Sequence, residues 1–440
     1  MVDTHRTGSG SRLRSLTARE ILDSRGLPTL EVEAVLESGR AVWASVPSGG
    51  SRGSREAAEL RDGGARLGGH GVQNAVRAVT KYVAPLFARV DVSDQLSIDE
   101  ALKELDGTRN KADLGGNTLL AVSMAVARAA AAARHKPLYR ALGDPQAALL
   151  PMPLFNVIEG GMHAENLLDL QDVMVVPVGA RSFREALGMG VETYLALRHE
   201  LHARGLCTAV GNEGGFAPQI ADPARAVELV LAAIERAGFA PGREVAIALD
   251  VAASMLFEQG QYVLPHAGKR ASPEEMVASY EAWVRSYPIV SIEDGLAEND
   301  EVGWTELGAR LGDRIQLVGD DVFATDPELL RGGIRRGIAN AVVIKANQVG
   351  TLSEAIETMG IARAGHYGTI VSSRSGDTND DFIADFAVGT SAGQIKAGAP
   401  CRGERVVKYN RLLRIEEELG EHARFAGFPS RFRWSKGVPA

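Results

Sequence analysis

Short runs of apolar residues recur along the later part of the chain, and each run ends at a charged or polar residue. Such runs are typical of buried parallel strands. The residues that end them are Asp250, Glu293, Asp320, Lys345, Ser373 and Lys396. Intervals of 43, 27, 25, 28 and 23 residues separate these positions, and twenty-odd residues is the length of one strand and one returning helix. The pattern therefore predicts a closed parallel β/α barrel, with a loop or small hairpin at residues 257–270 filling the longest interval.

The earlier part of the chain has a different pattern. Apolar and polar residues alternate between residues 21 and 43, which predicts a β-hairpin, and helical periodicity dominates residues 72–142. A Gly- and Ser-rich segment at residues 47–54 predicts a mobile loop between them. The first clear break after the helices comes at Pro151. We therefore predict three parts, which are a flexible tail (1–17), a smaller N-terminal α+β domain (18–150) and a β/α barrel domain (151–440).

Composition argues against several classes of protein. The chain has 48 Lys and Arg against 56 Asp and Glu, a net charge of −8, and 5% aromatic residues, so we expect no nucleic-acid partner. Cys207 and Cys401 form no C-x-x-C pair, which argues against a zinc cluster and indicates a reducing, cytoplasmic compartment. The apolar stretch 119–133 is broken by Ser123 and Arg128 and is too short to cross a bilayer, so we expect no membrane partner.

The strand ends predict a common site. In a parallel barrel the carboxyl ends of all strands open onto one face, so Asp250, Glu293 and Asp320 should meet there. Together they would raise one another's pKa unless a cation neutralised them, and hard oxygen ligands of this kind suit Mg²⁺. A partly desolvated lysine beside the ion, such as Lys345 or Lys396, would have a lowered pKa and is a candidate general base. The alternative, a set of helix caps and salt bridges, is weaker for five charged residues in successive units.

Two glycine-rich motifs are less specific signals. Residues 211–215 place Glu213 among three glycines, where the backbone can approach a ligand closely, although a simple turn explains the motif equally well. A second glycine pair precedes His163, with Gln171 and Asp172 further along the chain. A single histidine is more often structural than catalytic, so this motif alone predicts no chemistry.

A longer series of motifs runs in order from about Ala18 to the C-terminus. Its members are Asp23-Ser24-Arg25-Gly26, Pro47-Ser48-Gly49, Glu59-Leu60-Arg61-Asp62-Gly63, Asn212-Glu213-Gly214-Gly215, Ser291-Ile292-Glu293-Asp294, Gly319-Asp320-Asp321, Lys345 with Asn347-Gln348, Arg374-Ser375-Gly376, Gln394-Ile395-Lys396 and Lys408-Tyr409-Asn410. In this order and spacing, the series resembles the enolase family. The resemblance implies an α/β fold, an enolase-type β/α barrel with a smaller N-terminal α+β capping domain. It also implies that the first barrel elements depart from strict alternation, and that the protein is a homodimer or higher homo-oligomer.

The resemblance implies two Mg²⁺ ions and a small anionic phosphorylated substrate. Asp250, Glu293 and Asp320 resemble the ligands of the tighter ion. Ser51, on the predicted mobile loop, resembles the residue that helps to hold the second ion, which arrives with the substrate. Enolase-superfamily sites are known to combine a lysine or histidine base with Mg²⁺, so this mechanism is an implication of the resemblance.

Three catalytic roles follow from the same resemblance. Lys345 would take the proton from carbon 2 of 2-phosphoglycerate, and Lys396 would neutralise the substrate carboxylate. Glu213 would protonate the departing hydroxyl on the opposite face. The positions expected to contact the substrate are His163, Gln171, Asp172, Ser373, Arg374, Ser375 and Arg52.

The sequence departs from the family pattern at five places beside the predicted site. Ser373 stands where histidine is usual, Asp172 and Met255 where glutamate is usual, Asn212 where aspartate is usual, and residues 50–53 read Gly-Ser-Arg-Gly instead of Ala-Ser-Thr-Gly. Losing an imidazole while gaining a guanidinium rearranges charge around the phosphate.

Two enzyme interpretations therefore remain open. The first is an enolase that converts 2-phosphoglycerate to phosphoenolpyruvate and water. The second is a paralogue of phosphonate biosynthesis, similar to carboxyphosphonoenolpyruvate synthases, that joins an enolpyruvyl unit to activated phosphonoformate, with Arg52 and space near Ser373 and Asp172 accepting the second anion. A third interpretation is a non-catalytic binding protein, and the presence of Lys345 and Glu213 counts against it.

Overall fold

The computed structural model describes residues 10–50, 53–143, 146–429 and 432. Its smaller domain opens with an antiparallel sheet in the order β1 (Leu13–Leu22), β2 (Pro28–Leu36) and β3 (Ala41–Ser45). Alternate residues of β2, from Leu30 to Leu36, are fully buried, so one face of the sheet packs on the helices that follow. These helices are α1 (Gln73–Ala78), α2 (Ala84–Leu86), α3 (Gln95–Asp106), α4 (Gly116–Ala133) and α5 (Leu138–Ala141).

The tail predicted over residues 1–17 is too long. β1 begins at Leu13, and its pairing with β2 is shifted between Leu13 and Ser15 by a bulge. The bulge brings Leu13 and Leu16 to the buried side although they are three residues apart, which hides the period-2 pattern in the sequence. Residues 1–9 of the predicted tail lie outside the described part of the chain.

α4 is the central helix of the smaller domain. It begins at Gly116, three residues before the predicted apolar stretch, and by length and composition it could cross a membrane. However, 83% of its residues are buried within the fold. A helix that is apolar all round and surrounded by protein is a core helix, so this segment is weak evidence for a membrane span.

The larger domain is a closed barrel of eight strands. The barrel strands are β5 (Met152–Glu159), β6 (Asp172–Val176), β7 (Ala246–Asp250), β11 (Ile289–Glu293), β12 (Gln316–Gly319), β13 (Ala341–Ile344), β14 (Gly368–Ser372) and β15 (Gln394–Lys396). Around the barrel they lie in the order β11-β12-β13-β14-β15-β5-β6-β7. The predicted insertion is a three-stranded meander, β8 (Phe257–Glu258), β9 (Gln261–Leu264) and β10 (Lys269–Ala271). A two-stranded sheet of β4 (Leu149–Leu150) and β16 (Arg424–Phe425) lies outside the barrel.

The expectation of a fully parallel barrel is wrong at one strand. β6 runs antiparallel to both of its neighbours, β5 and β7. Residues 160–171 connect β5 to β6 and contain a single 3₁₀ turn in place of a returning helix, so the chain reverses direction there. This is the departure from strict alternation that the resemblance implied.

Helices connect the remaining barrel strands, and a last helix follows β15. They are α6 (Phe183–Ala203), α7 (Pro223–Arg236), α8 (Pro273–Ser286), α9 (Glu301–Leu311), α10 (Pro327–Arg336), α11 (Ala346–Val349), α12 (Leu352–Ala364), α13 (Phe382–Gly389) and α14 (Gly403–Leu419). Many begin at a side chain that accepts a backbone N–H of the first turn, namely Ser182, Asp222, Ser272, Asp300, Asp326 and Thr351. These caps explain why the helices begin where they do.

Contacts between the domains place the smaller one against the carboxyl end of the barrel. Arg128 of α4 donates to both carboxylate oxygens of Asp380, each at 2.7 Å. Ser48, at the start of the predicted mobile loop, exchanges two backbone hydrogen bonds with Gly376, at 2.7 and 3.0 Å. The boundary near residue 150 stays a prediction, and the first barrel strand begins at Met152.

Candidate active site

The acids and lysines predicted from the strand ends meet at the carboxyl end of the barrel, and we call them the lysine cluster. The members are Asp250, Glu293, Asp320, Lys345 and Lys396. Lys396 Nζ lies 2.8 Å from Asp250 Oδ2 and 2.6 Å from Glu293 Oε1. Lys345 Nζ contacts Asp320 Oδ2. Each carboxylate of the cluster is therefore paired with a lysine. Asp320 and Lys345 follow adjacent strands, whereas Lys396 of β15 reaches Asp250 and Glu293 across the barrel mouth.

Burial and neighbouring charges shift the pKa values of this cluster. Burial, reinforced by Asp250, raises the pKa of Glu293 well above its usual range. Burial lowers the pKa of Lys396, but the charges of Asp250 and Glu293 outweigh it and raise this pKa well above its usual range. Burial also lowers the pKa of Lys345, but the charge of Asp320 outweighs it and raises this pKa in the absence of an ion. The lowered pKa expected for a lysine beside Mg²⁺ stays a prediction.

The oxygen ligands at the strand ends fit a hard divalent cation. Glu293 Oε2 is buried and has no hydrogen-bond partner among the described residues. The most compact acidic group differs from the predicted one, since ligand atoms of Asp294, Asp320 and Asp321 lie within 4.8 Å of one another. Asp294 also accepts the backbone N–H groups of Asp320 and Asp321, at 2.8 and 2.9 Å. The carboxylates are of the kind that holds Mg²⁺, and Asp320 belongs to both groups.

A second group of titratable side chains lies at the same end of the barrel, and we call it the histidine cluster. Its members are Glu159, His163, Asp172 and Glu213. His163 Nδ1 lies 3.0 Å from Asp172 Oδ1, and His163 Nε2 lies 3.8 Å from Glu213 Oε1. All four side chains are buried. The predicted acid, Glu213, thus faces an imidazole that a second carboxylate orients.

The histidine cluster retains a proton near neutral pH. Burial lowers the pKa of His163, but the charges of Asp172 and Glu213 outweigh it and raise this pKa to about 9. Burial raises the pKa of Glu213, yet the charges of His163 and Arg405 lower it to about 2. The favoured state is an imidazolium beside an ionised Glu213.

The predicted phosphate clamp lies where the two domains meet. Arg374 donates from its two terminal nitrogens to the two carboxylate oxygens of Glu56, at 3.0 Å each. Ser375 Oγ accepts the backbone N–H of Gly50 at 2.7 Å. Ser373 Oγ accepts a hydrogen bond from Arg405 at 3.0 Å. The position that departs from the family pattern is therefore filled by contacts within the protein.

The other predicted residues have different outcomes. Gln171 Nε2 donates to Asp250 Oδ2 at 3.2 Å, which links the substrate position to the lysine cluster. Met255 is 53% exposed and lines a cavity of about 210 Å³ beside the barrel mouth. Ser51 and Arg52 lie outside the described residues, so the roles expected of them stay predictions.

Sequence reasoning missed three buried charged residues around the site. Glu159 follows the apolar run of β5, so the rule used for the other strand ends would have found it. Glu56 follows the glycine-rich loop and has no pattern of its own. Arg405 lies inside α14, more than 30 positions from the serine it contacts, and only the fold reveals it.

Comparisons with known proteins agree with this geometry. Residues 147–433 match the family model described as "Enolase, C-terminal TIM barrel domain", and residues 13–142 match "Enolase, N-terminal domain". The chain is 52% identical over 425 residues to the Enolase of Acidothermus cellulolyticus. The aligned region covers 97% of this chain and 99% of that protein. With both domains and nearly the whole length matched, this chain belongs to the enolase family of lyases.

Proposed function

We propose that this protein dehydrates 2-phosphoglycerate to phosphoenolpyruvate. The observation that carries the proposal is the presence of a largely buried lysine, Lys345, and a buried glutamate, Glu213, at one barrel mouth. The charges of Lys396 and Lys345 both contribute to the low pKa of Glu213, so the three side chains interact electrostatically across the barrel mouth. The relative that is 52% identical carries the name Enolase.

Removal of the proton at carbon 2 is the difficult step, because this carbon lies beside an ionised carboxylate. A Mg²⁺ ion held by Asp250, Glu293 and Asp320 would supply positive charge that stabilises the resulting enediolate. Lys396 adds a buried cation for the substrate carboxylate. Lys345 takes the proton, and it must first lose its own proton and its contact with Asp320.

Loss of the hydroxyl needs a proton from the other side of the site. Glu213 is ionised in the free protein, so it must acquire this proton before it can act as an acid. His163 is protonated and its Nε2 lies 3.8 Å from Glu213 Oε1, which makes the imidazolium the nearest source. Asp172 keeps the imidazole charged and oriented through Nδ1.

Binding of the substrate phosphate is assigned to Arg374 and Ser375. A guanidinium fork suits a phosphate group, and here Glu56 occupies that fork. When the substrate binds, its phosphate would therefore replace Glu56 on the guanidinium of Arg374. Ser51 and Arg52 would close over the phosphate, and Ser51 would help to hold a second Mg²⁺.

Separate assays of the two half-reactions test this proposal. Lys345→Ala should reduce exchange of the carbon-2 proton by roughly 10²–10⁴-fold, as expected for loss of a general base. Glu213→Gln should preserve that exchange but slow dehydration by a similar factor. If Glu213→Gln stops exchange while Lys345→Ala does not, the two roles are reversed. Full turnover in excess chelator would exclude the Mg²⁺ requirement.

The same assay distinguishes the phosphonate alternative. That interpretation relied on open space at Ser373 and Asp172, and both side chains bond within the protein, to Arg405 and His163. Turnover that requires a second phosphonate substrate would favour the alternative nonetheless. We further propose that the protein is cytoplasmic and a homo-oligomer. Light scattering on the purified protein would test the oligomeric state, and cell fractionation would test the location.

A further inference from the structure

Glu159 is a buried acid that the proposed reaction does not use. It ends β5, is fully buried, and directs its carboxylate at the loop that carries Glu213. Oε2 accepts the backbone N–H of Glu213 at 3.0 Å, and Oε1 accepts that of Gly215 at 2.5 Å. A single side chain on a barrel strand therefore bonds to two alternate amides of the loop.

The loop is shaped to receive this carboxylate. A Cβ atom on Gly211 would lie 2.2 Å from Glu159 Oε2, and one on Gly215 would lie 2.9 Å from Oε1. Real Cβ atoms do not approach so closely, so the two glycines leave the space that the carboxylate fills. The same loop is closed by a backbone hydrogen bond of 2.8 Å from Gly211 to Gly215.

A neighbouring side chain of β5 contacts the acid itself. Asn156 Nδ2 donates to Glu213 Oε2 at 3.2 Å. β5 thus holds the backbone of Glu213 through Glu159 and its carboxylate through Asn156. Because barrel strands are the most rigid elements of the fold, this arrangement fixes the acid more closely than a free loop would.

We infer that Glu159 is a positioning residue, which fixes the 211–215 loop and thereby aims the Glu213 carboxylate at the departing hydroxyl. The aiming of Glu213 at the departing hydroxyl rests on the proposed function, whereas the fixing of the loop does not. A displacement of about 1 Å can cost roughly 100-fold in rate, so the contact matters although Glu159 is assigned no contact with the substrate. The alternative is that Glu159 stabilises the fold and has no effect on the position of Glu213.

Glu159→Gln separates these roles. The amide has one acceptor oxygen, and its NH₂ group would face one of the two N–H donors. We expect dehydration to fall by roughly 10–100-fold while exchange of the carbon-2 proton stays within about twofold, because Lys345 lies on a different strand. A loss of stability by itself would reduce both reactions together, and that result would overturn the inference. Glu159→Asp keeps both oxygens and should restore part of the dehydration rate.

Glu416 provides a matched control. Its carboxylate also accepts two backbone N–H groups, of Phe183 at 2.7 Å and Arg184 at 3.0 Å, and it lies on α14 away from the barrel mouth. Glu416→Gln makes the same chemical change outside the site. We expect it to leave the ratio of exchange to dehydration unchanged.

Hydrogen–deuterium exchange tests the contact without any substrate. In Glu159→Gln, the amides of Glu213 and Gly215 should exchange at least about fivefold faster, whereas Glu416→Gln should leave them unchanged. Unchanged exchange at these two amides would overturn the inference whatever the substrate is. If the wild-type protein neither exchanges nor dehydrates 2-phosphoglycerate, the proposed function fails, and the amide measurement still decides whether Glu159 fixes the loop.

Discussion

The lysine cluster and the histidine cluster share one barrel mouth but are built in different ways. The lysine cluster comes from parallel strands of the barrel, with one charged residue at or just beyond the ends of β7, β11, β12, β13 and β15. The histidine cluster comes from β5, a 3₁₀ turn, the antiparallel β6 and a loop. Regular strands place their end residues by repetition, whereas the irregular region needs particular contacts to bring its residues together.

The two clusters also differ in charge. The lysine cluster pairs three carboxylates with two lysines that stay charged near neutral pH. The histidine cluster sets three acids around one imidazole. Burial with the charge of Asp172 raises the pKa of Glu159, while the charge of His163 and the N–H donor of Glu213 act in the opposite direction. One cluster therefore sets lysines against acids that can hold a cation, and the other stores a proton that can move.

Removal of Lys396 should have the largest effect and should reach both half-reactions. Lys396→Met leaves Asp250 and Glu293 without their shared cation, and the enediolate without one source of positive charge. We expect carbon-2 exchange and dehydration to fall together by about 10³-fold. Lys111→Met is the matched control, because it removes another buried lysine, which lies in the smaller domain and pairs with Glu354 of α12 at 2.7 Å. Loss of dehydration alone in Lys396→Met would contradict the assignment to the lysine cluster.

Metal titrations decide which acids of the barrel mouth hold the ion. Asp320 belongs to the predicted group with Asp250 and Glu293 and to the compact group with Asp294 and Asp321. Asp320→Asn should weaken Mg²⁺ binding by roughly 10–100-fold in calorimetric titrations.

The partners of Asp320 then separate the two groups. If Asp250→Asn weakens binding as much as Asp320→Asn while Asp321→Asn has little effect, the predicted group is correct. The opposite order would assign the ion to the compact group.

The proton of the histidine cluster can be observed directly. With [¹³C]histidine NMR, one imidazole, identified by its absence in His163→Gln, should titrate with a pKa of about 9 instead of about 6.5. Asp172→Asn should lower this pKa and slow dehydration by about tenfold, and carbon-2 exchange should change less. A value near 6.5 for His163 would remove the proposed proton source.

The same shift predicts a pH dependence of stability. The pKa of His163 is raised in the folded state, so its contribution is fully present below about pH 6.5 and is lost as the pH rises through about 9. The free energy of unfolding should therefore fall over this range, measured by urea titration. Asp172→Asn should flatten the decline, and an unchanged slope would show that other groups cause it.

The contrast between the clusters explains what the sequence could predict. The pattern of apolar runs alone located Asp250 and Lys396, because each stands at the end of a buried strand. The roles of His163 and Glu213 came from family resemblance, since no periodicity joins a 3₁₀ turn to a loop 50 residues away. The antiparallel β6 was not predicted from spacing because its short connection leaves no helical pattern. Side chains that arrive from other elements, such as Arg405, have no local signal at all.

The smallest expected effect concerns Ser373, where the chain departs from the family pattern. Ser373 is buried, and its Oγ accepts a hydrogen bond from Arg405, which also donates to the backbone oxygens of Arg374 and Ser375 at 2.7 and 2.8 Å. Because those two bonds remain in Ser373→Ala, we expect less than about a threefold change in dehydration and a loss of about 1–2 kcal/mol in the free energy of unfolding. Ser291→Ala removes a comparable buried acceptor, which receives a bond of 3.3 Å from Gln316, and serves as the control. A loss of tenfold or more in Ser373→Ala, absent in the control, would mean that the hydroxyl contacts the substrate and that this departure sets specificity.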